Sequence, residues 1–131
     1  MAFELTTDYI EMLRLAIEER NDSFLSEQMH EHYAVDIAEI FNQLSFEEVK
    51  YLYTLLPDDE SAGVLLELND ELREELLSSL SSKEIAEQLD NMDSDDAADV
   101  INELPENIQD EVLSHLEDID QAVDIADLLN Y

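Results

Sequence analysis

The feature that most constrains this chain is an internal repeat of twelve residues that runs from Ile37 to the end of the sequence. The eight blocks read IAEIFNQLSFEE, VKYLYTLLPDDE, SAGVLLELNDEL, REELLSSLSSKE, IAEQLDNMDSDD, AADVINELPENI, QDEVLSHLEDID and QAVDIADLLNY. Positions 5 and 8 of every block are apolar, and position 4 is apolar except at Gln88 and Asp124. Because this spacing follows one face of a helix, each block predicts one short amphipathic helix.

Position 9 of each block predicts where the next helix begins. It is occupied by Ser45, Pro57, Asn69, Ser81, Asp93, Pro105 and Glu117, and most of these residue types are typical of N-caps or helix starts. An acid follows Ser45, Ser81 and Asp93 at capping-box spacing, which makes Asp96 the expected partner of Asp93. Helices of about eight or nine residues are too short to be stable alone. They must stack on one another, as they do in a solenoid.

The predicted fold class is therefore all-α, a superhelical solenoid of about ten short helices. Two helices, at 7–20 and 22–33, precede the repeat region at 37–131, and residues 1–131 are expected to form a single domain. Alanine at position 2 recurs every 24 residues, which favours a two-helix repeat with one close contact per pair. The last block lacks a polar cap, so we expect the chain to continue into a further segment.

The charge of the chain restricts its partners. It has 36 acidic and 5 basic residues, for a formal net charge of −31. No basic patch is available to neutralise nucleic-acid phosphates or an anionic membrane surface, so cations and basic protein surfaces are the expected partners. The sequence has no cysteine and no apolar run near the roughly 20 residues of a membrane span. It carries no catalytic motif, and we expect no enzymatic activity.

One acidic stretch, DSDDAADVINELP at 93–105, is a candidate cation site. An EF-hand loop that starts at Asp93 would place Ala97 and Leu104 at ligand positions, so a closed calcium site is not expected. Mg2+ needs only one or two carboxylates from a protein, and Asp95 and Asp99 share a helix face at i, i+4 spacing. The competing interpretation is that these acids only complement the helix dipole.

Two other acidic clusters, at 58–60 and 117–120, occupy equivalent turns of the repeat and are expected on one edge of the solenoid. His30 and His32 are two residues apart. Residues at i and i+2 do not share a helix face, so a zinc pair is not expected there.

Three ordered stretches resemble a known family. AVDIAEIFNQLSFEEV (34–49), LLPDDESAGVLLEL (55–68) and MDSDDAADVINELP (92–105) resemble the cytosolic N-terminal domain of MgtE-type magnesium transporters, over roughly residues 25–131. The resemblance implies a right-handed superhelix that precedes CBS domains and a membrane domain in a homodimeric protein. It places this fragment on the cytoplasmic side of the bacterial cell membrane, without membrane insertion of its own.

The resemblance also implies a function. In the family, Mg2+ bridges acidic faces of the N-terminal and CBS domains and holds the pore closed, so the domain acts as a Mg2+ sensor. The matching acids here are Asp95, Asp96 and Asp99, which would form half of a weak, shared Mg2+ site. Gly63 departs from the family pattern, where an acid often follows two alanines. The alternatives are a flagellar motor switch-like interaction scaffold and an acidic mimic of nucleic acid.

Overall fold

The described part of the chain, residues 5–116, 124–125 and 127–129 of a computed structural model, is helical and contains no strand. Its nine complete helices are α1 (Thr7–Glu18), α2 (Asp22–His30), α3 (Ala34–Asn42), α4 (Phe46–Leu55), α5 (Asp58–Glu67), α6 (Asp70–Ser79), α7 (Ser82–Leu89), α8 (Ser94–Asn102) and α9 (Glu106–His115). The predicted all-α class is confirmed. Within these residues, no helix has the length and apolar character that crossing a bilayer requires.

The helix starts follow the period of the sequence. Helices α2 to α9 begin at residues 22, 34, 46, 58, 70, 82, 94 and 106, each twelve residues after the one before. The repeat therefore extends one helix further towards the N-terminus than the pattern that starts at Ile37. That helix is hard to recognise because Gln28 and His32 stand where later blocks carry apolar residues. Both of these side chains hydrogen-bond the Tyr9 hydroxyl, at 3.0 and 2.7 Å.

Side-chain caps explain most of the helix starts. Ser45 and Ser81 each accept a hydrogen bond from the N–H group three residues later, and Glu48 and Glu84 accept from the serine N–H groups in return. The two predicted capping boxes are thus confirmed. At α6, the Asn69 side chain accepts from the Leu72 N–H group at 2.9 Å. These contacts satisfy donors that a helix start otherwise leaves unpaired.

The predicted capping box at Asp93 and Asp96 is wrong. Asp93 does hold the N-cap position of α8, with φ −66° and ψ 152°, but its side chain makes no cap hydrogen bond. Aspartate is one methylene shorter than the glutamate that closes a capping box, and two carboxylates at this spacing repel each other. Both effects work against reciprocal capping, and the Asp93 carboxylate makes no hydrogen bond to the start of the helix.

The chain divides into two compact units, Met1–Arg73 and Glu74–Tyr131. In the first unit α3 packs on α5, and α2 packs on α1 and α4; in the second unit α7 packs on α9. Helices two apart along the chain are therefore neighbours in both units. The alanines Ala38, Ala62 and Ala86 are buried, and their small side chains allow close helix contacts.

Most of the apolar repeat positions form the core, although Leu44, Leu80, Leu113 and Leu116 are only half-buried. The position-5 side chains from Phe41 to Ile101, and also Ile125, are buried, and even Gln88 at position 4 is only 5% exposed. Leu128, at position 8 of the last block, is 44% exposed, so the predicted core stripe is wrong there. Its neighbours Asp124 and Asp127 are exposed. Among the described residues of this segment, Ile125 is buried and Leu129 is half-buried.

Candidate metal centre

Helix α8 presents its acids on a firmly anchored scaffold. Four residues of this helix, Ala97, Ala98, Val100 and Ile101, are buried with exposures of 0 to 4%. Because these side chains fix one face of the helix in the core, the opposite face must point to solvent. Asp95 and Asp99 are exposed on that face, and Asp96 is half-buried beside them.

Three carboxylates meet where α8 begins. One oxygen from each of Asp93, Asp95 and Asp96 lies within 4.8 Å of the other two. Two unit charges at that distance repel by about 0.9 kcal/mol in a water-like dielectric, and by more near a protein surface. The side chain of Asp93 makes no compensating cap bond. The three carboxylates therefore repel one another, and a bound cation would relieve this repulsion.

The structure brings together two of the three acids that the sequence singled out. Asp95 and Asp96 belong to the cluster, whereas Asp99 lies one turn further along α8, outside the group of three. Asp93 joins the cluster although sequence reasoning assigned it to capping. A signal was present in the sequence: the residue three positions after Asp93 is aspartate, where the two working capping boxes have glutamate.

Two acids near the end of the sequence line the same cavity as Asp95. Asp95 and Ser94 line a cavity of about 450 Å3 together with Asp124, Asp127 and Leu128. Sequence reasoning noted Asp124 only as an exception to the apolar pattern at position 4. An acid at a position that other blocks use for the core is the signal that could have identified it. Asp95 is thus the residue shared by the carboxylate cluster and this acidic cavity.

The chemistry of this donor set suits a hard divalent cation. Carboxylate oxygens are the ligands that Mg2+ and Ca2+ prefer, and Mg2+ keeps several of its waters. An exposed cluster can therefore hold an ion with one or two direct contacts and further contacts through water. The positive end of the α8 dipole opposes cation binding. Elsewhere in the described ranges, no other three histidine or acidic side chains are grouped closely enough to hold a metal.

The other acidic cluster that can be described has a different environment. Asp58, Asp59 and Glu60 form the first turn of α5, and the Glu60 carboxylate hydrogen-bonds His30 Nδ1 at 2.8 Å. His32 instead contacts the Tyr9 hydroxyl, so the two histidine rings have different partners. The cluster at 117–120 lies outside the described residues.

Gly63 lies within α5, close to α3. A Cβ atom added there would meet the Ala34 Cβ at 3.6 Å, an ordinary contact. A side chain of at least one carbon therefore fits at this position.

Solved structures with the same fold exist. The crystal structure of the soluble part of a magnesium transporter is 21% identical in sequence, with a TM-score of 0.81, and the match covers 95% of this chain and 49% of that one. The crystal structure of the cytosolic domain of the Mg2+ channel MgtE in complex with ATP is 26% identical, with a TM-score of 0.78 over 93% of this chain and 50% of that one. This chain thus spans about half the length of both. No protein with a curated description matches the sequence significantly.

The family assignment comes from the sequence itself. The description of the matching family is the MgtE intracellular N domain, and the match extends over residues 32–131. It includes the repeat region and the whole of α8 with its carboxylates. It begins after α2, so the first two helices are supported by the structural matches alone. The chain belongs to the family of MgtE intracellular N domains.

Proposed function

We propose that this chain is the Mg2+-sensing regulatory domain of a magnesium transporter, and that the carboxylates at the start of α8 form its half of a shared ion site. The observation that carries the proposal is the cluster of Asp93, Asp95 and Asp96 oxygens within 4.8 Å of one another. Family membership supports the choice of Mg2+ among hard cations. The domain has a regulatory role and catalyses no reaction.

The proposed mechanism follows from like-charge repulsion. A chain with a net charge of −31 repels another acidic surface. Divalent ions held between the two surfaces replace that repulsion with attraction, so docking depends steeply on the ion concentration. At high Mg2+ the domain docks and the pore is held closed, and at low Mg2+ the faces separate and the pore opens.

The four acids of α8 and its N-cap have different roles in the proposed site. Asp95 is the central ligand because it belongs to the cluster and also lines the cavity with Asp124 and Asp127. Asp99 shares the exposed face of α8 and supplies a contact one turn away. Asp96 and Asp93 complete the electrostatic site, in direct contact with the ion or through its waters.

The proposed partners are parts of the same protein. The acidic site is open to solvent on this chain, which suits an ion that is shared with CBS domains further along the polypeptide. In this arrangement the chain lies on the cytoplasmic side of a bacterial membrane, attached to a dimeric membrane domain. An open half-site also explains why Mg2+ should bind this domain alone only weakly.

The test is protease protection of the longer cytosolic fragment, which contains the CBS domains, while Mg2+ is raised through millimolar concentrations. We expect the wild-type fragment to become protected. Asp95→Ala combined with Asp99→Ala should require several-fold more Mg2+ for the same protection, because the shared ions lose ligands on this side.

A matched control is available on the next helix. Glu106 and Asp110 are exposed acids on α9 with the same i, i+4 spacing. Glu106→Ala combined with Asp110→Ala removes the same charge, so it should leave the Mg2+ dependence close to wild type. Equal effects of the two double variants would remove the α8 site from the mechanism and leave only a general charge effect.

A further inference from the structure

A second cavity lies in the unit Glu74–Tyr131, lined by residues other than the α8 carboxylates. It has a volume of about 520 Å3, and its walls come from α6, the start of α7, the turn between α8 and α9 and the start of α9. The apolar lining residues are Leu77, Leu80, Ile85, Leu104, Pro105 and Ile108. This volume falls within the range of about 300–1,000 Å3 that is typical of small-molecule sites.

The polar part of the lining has one sign of charge. It consists of the carboxylates of Glu74 and Glu103 and the hydroxyls of Ser78 and Ser82. The Ser78 hydroxyl donates to the Glu74 carbonyl at 2.9 Å, and the Ser82 hydroxyl donates to Glu111 at 2.7 Å. Both hydroxyl protons are therefore used in these hydrogen bonds, so the polar side chains of the lining residues can act only as acceptors towards a ligand. No basic residue is among the lining residues that the structure describes.

This combination specifies the chemistry of a ligand. An anion would meet two carboxylates and no basic side chain, whereas a fully polar cation would leave the apolar walls unused. Four separate elements surround the cavity, so it suits a compact molecule better than an extended peptide segment. We propose that this cavity binds an amphiphilic organic ammonium ion, with the ammonium group at Glu74 and Glu103 and the apolar part against Leu77, Leu80 and Ile108.

The proposal concerns a different ligand and a different site from Mg2+ sensing. A divalent metal ion prefers oxygen ligands and gains nothing from an apolar wall. The cavity residues Leu77 and Ile85 are almost fully buried, with exposures of 3% and 1%. The apolar wall is thus a fixed part of the core where α7 packs on α9. The carboxylates of Glu74 and Glu103 lie at its exposed edge.

The experiment uses a matched series of probes on the 131-residue chain: octylammonium, octan-1-ol, octanoate and spermidine, each in about 0.15 M salt to screen general charge attraction. Calorimetry measures affinity, and amide NMR shifts locate the site. We expect saturable binding of octylammonium with shifts at Leu80, Ile85 and Ile108. Octanol should bind more weakly, and octanoate and spermidine should leave those three signals in place.

Variants separate the cavity from the general acidity of the chain. Glu103→Gln should weaken octylammonium binding about tenfold, the low end for a hydrogen bond to a charged group. Glu75→Gln removes an exposed acid of α6 that does not line the cavity, so it should change the affinity less than about twofold. Ser78→Phe, at an exposed position on the wall, should abolish binding while circular dichroism shows intact helices.

Four results would overturn the proposal. Octanoate could bind as tightly as octylammonium, which would remove the role of the carboxylates. Glu75→Gln could weaken binding as much as Glu103→Gln, which would mean attraction to the acidic surface only. The shifts could also fall outside the cavity, or persist at full affinity in a folded Ser78→Phe variant, which would place the ligand elsewhere.

Discussion

The start of α8 can be compared directly with the start of α7, because Asp93 and Ser81 occupy equivalent positions twelve residues apart. The Ser81 hydroxyl accepts the Glu84 N–H at 3.1 Å, whereas the Asp93 side chain makes no such bond. We predict that Ser81→Ala destabilises the protein by about 1 kcal/mol, the usual cost of losing an N-cap. We predict that Asp93→Ser stabilises it, although aspartate is among the preferred N-cap residues.

The size of the second effect follows from three terms. A serine at position 93 can make the cap bond that Ser81 makes, which contributes about 1 kcal/mol. Removing one carboxylate relieves two repulsions of about 0.9 kcal/mol each before salt screening, from the 4.8 Å separations in the cluster. Losing a negative charge at a helix start costs about 0.3–1 kcal/mol. After screening, we expect Asp93→Ser to stabilise the chain by about 1 kcal/mol.

Urea unfolding in the presence of a chelator measures both changes. Both positions lie in the unit Glu74–Tyr131, so they report on the same part of the protein. A change of 1 kcal/mol moves the midpoint by about 0.5 M urea for a typical slope of about 2 kcal/mol/M. Millimolar Mg2+ should reduce the advantage of Asp93→Ser, because the ion relieves the same repulsion in the wild type. Loss of stability in Asp93→Ser would refute the reasoning and show that Asp93 acts as a cap.

Three further predictions concern the rest of the chain. Gly63→Ala should stabilise it by about 0.5–1 kcal/mol in urea unfolding, since the added Cβ makes only an ordinary contact with Ala34; a loss of stability would show that α3 and α5 cannot adjust. Burial, and then the nearby Glu31 charge, raise the pKa of Tyr9 above its ordinary 10.0. The stability that Tyr9 contributes is therefore full below pH 10.0 and is lost as the pH rises through its higher folded-state pKa. Wild type should thus lose more stability than Tyr9→Phe between about pH 9 and 11. Equal losses in the two proteins would contradict this. Because the net charge is −31, raising NaCl from about 0.05 to 0.5 M should raise the melting temperature by several degrees; no rise would mean that self-repulsion contributes little.

Periodicity made the helices predictable. Apolar positions at helical spacing and cap residues every twelve positions indicated the starts of α4 to α9, because short helices can be stable only if each buries the same stripe. Helix α2, the first helix of the repeat, was assigned to a separate N-terminal segment because Gln28 and His32 interrupt its apolar stripe. Their bonds to Tyr9 of α1 are tertiary contacts, which a repeat pattern cannot show.

The site was predictable only in part, for a related reason. Spacing along one helix indicated Asp95 and Asp99, since i, i+4 positions share a face. It could not indicate that the Asp93 side chain makes no cap hydrogen bond, because residue type alone ranks aspartate as a good cap. Nor could it place Asp124 and Asp127 beside the same cavity as Asp95, because spacing along the sequence does not show which distant residues line one cavity.

We propose that Mg2+ acts on the full-length transporter through the acidic face of α8. The most direct measurement is Mg2+ flux through the full-length protein in lipid vesicles, while Mg2+ on the side of this domain is raised from micromolar to millimolar concentrations. We predict that the flux through wild type falls, whereas the Asp95→Ala and Asp99→Ala double variant stays open at concentrations that close the wild type. Closure of the double variant at the same Mg2+ concentration as wild type would contradict the claim.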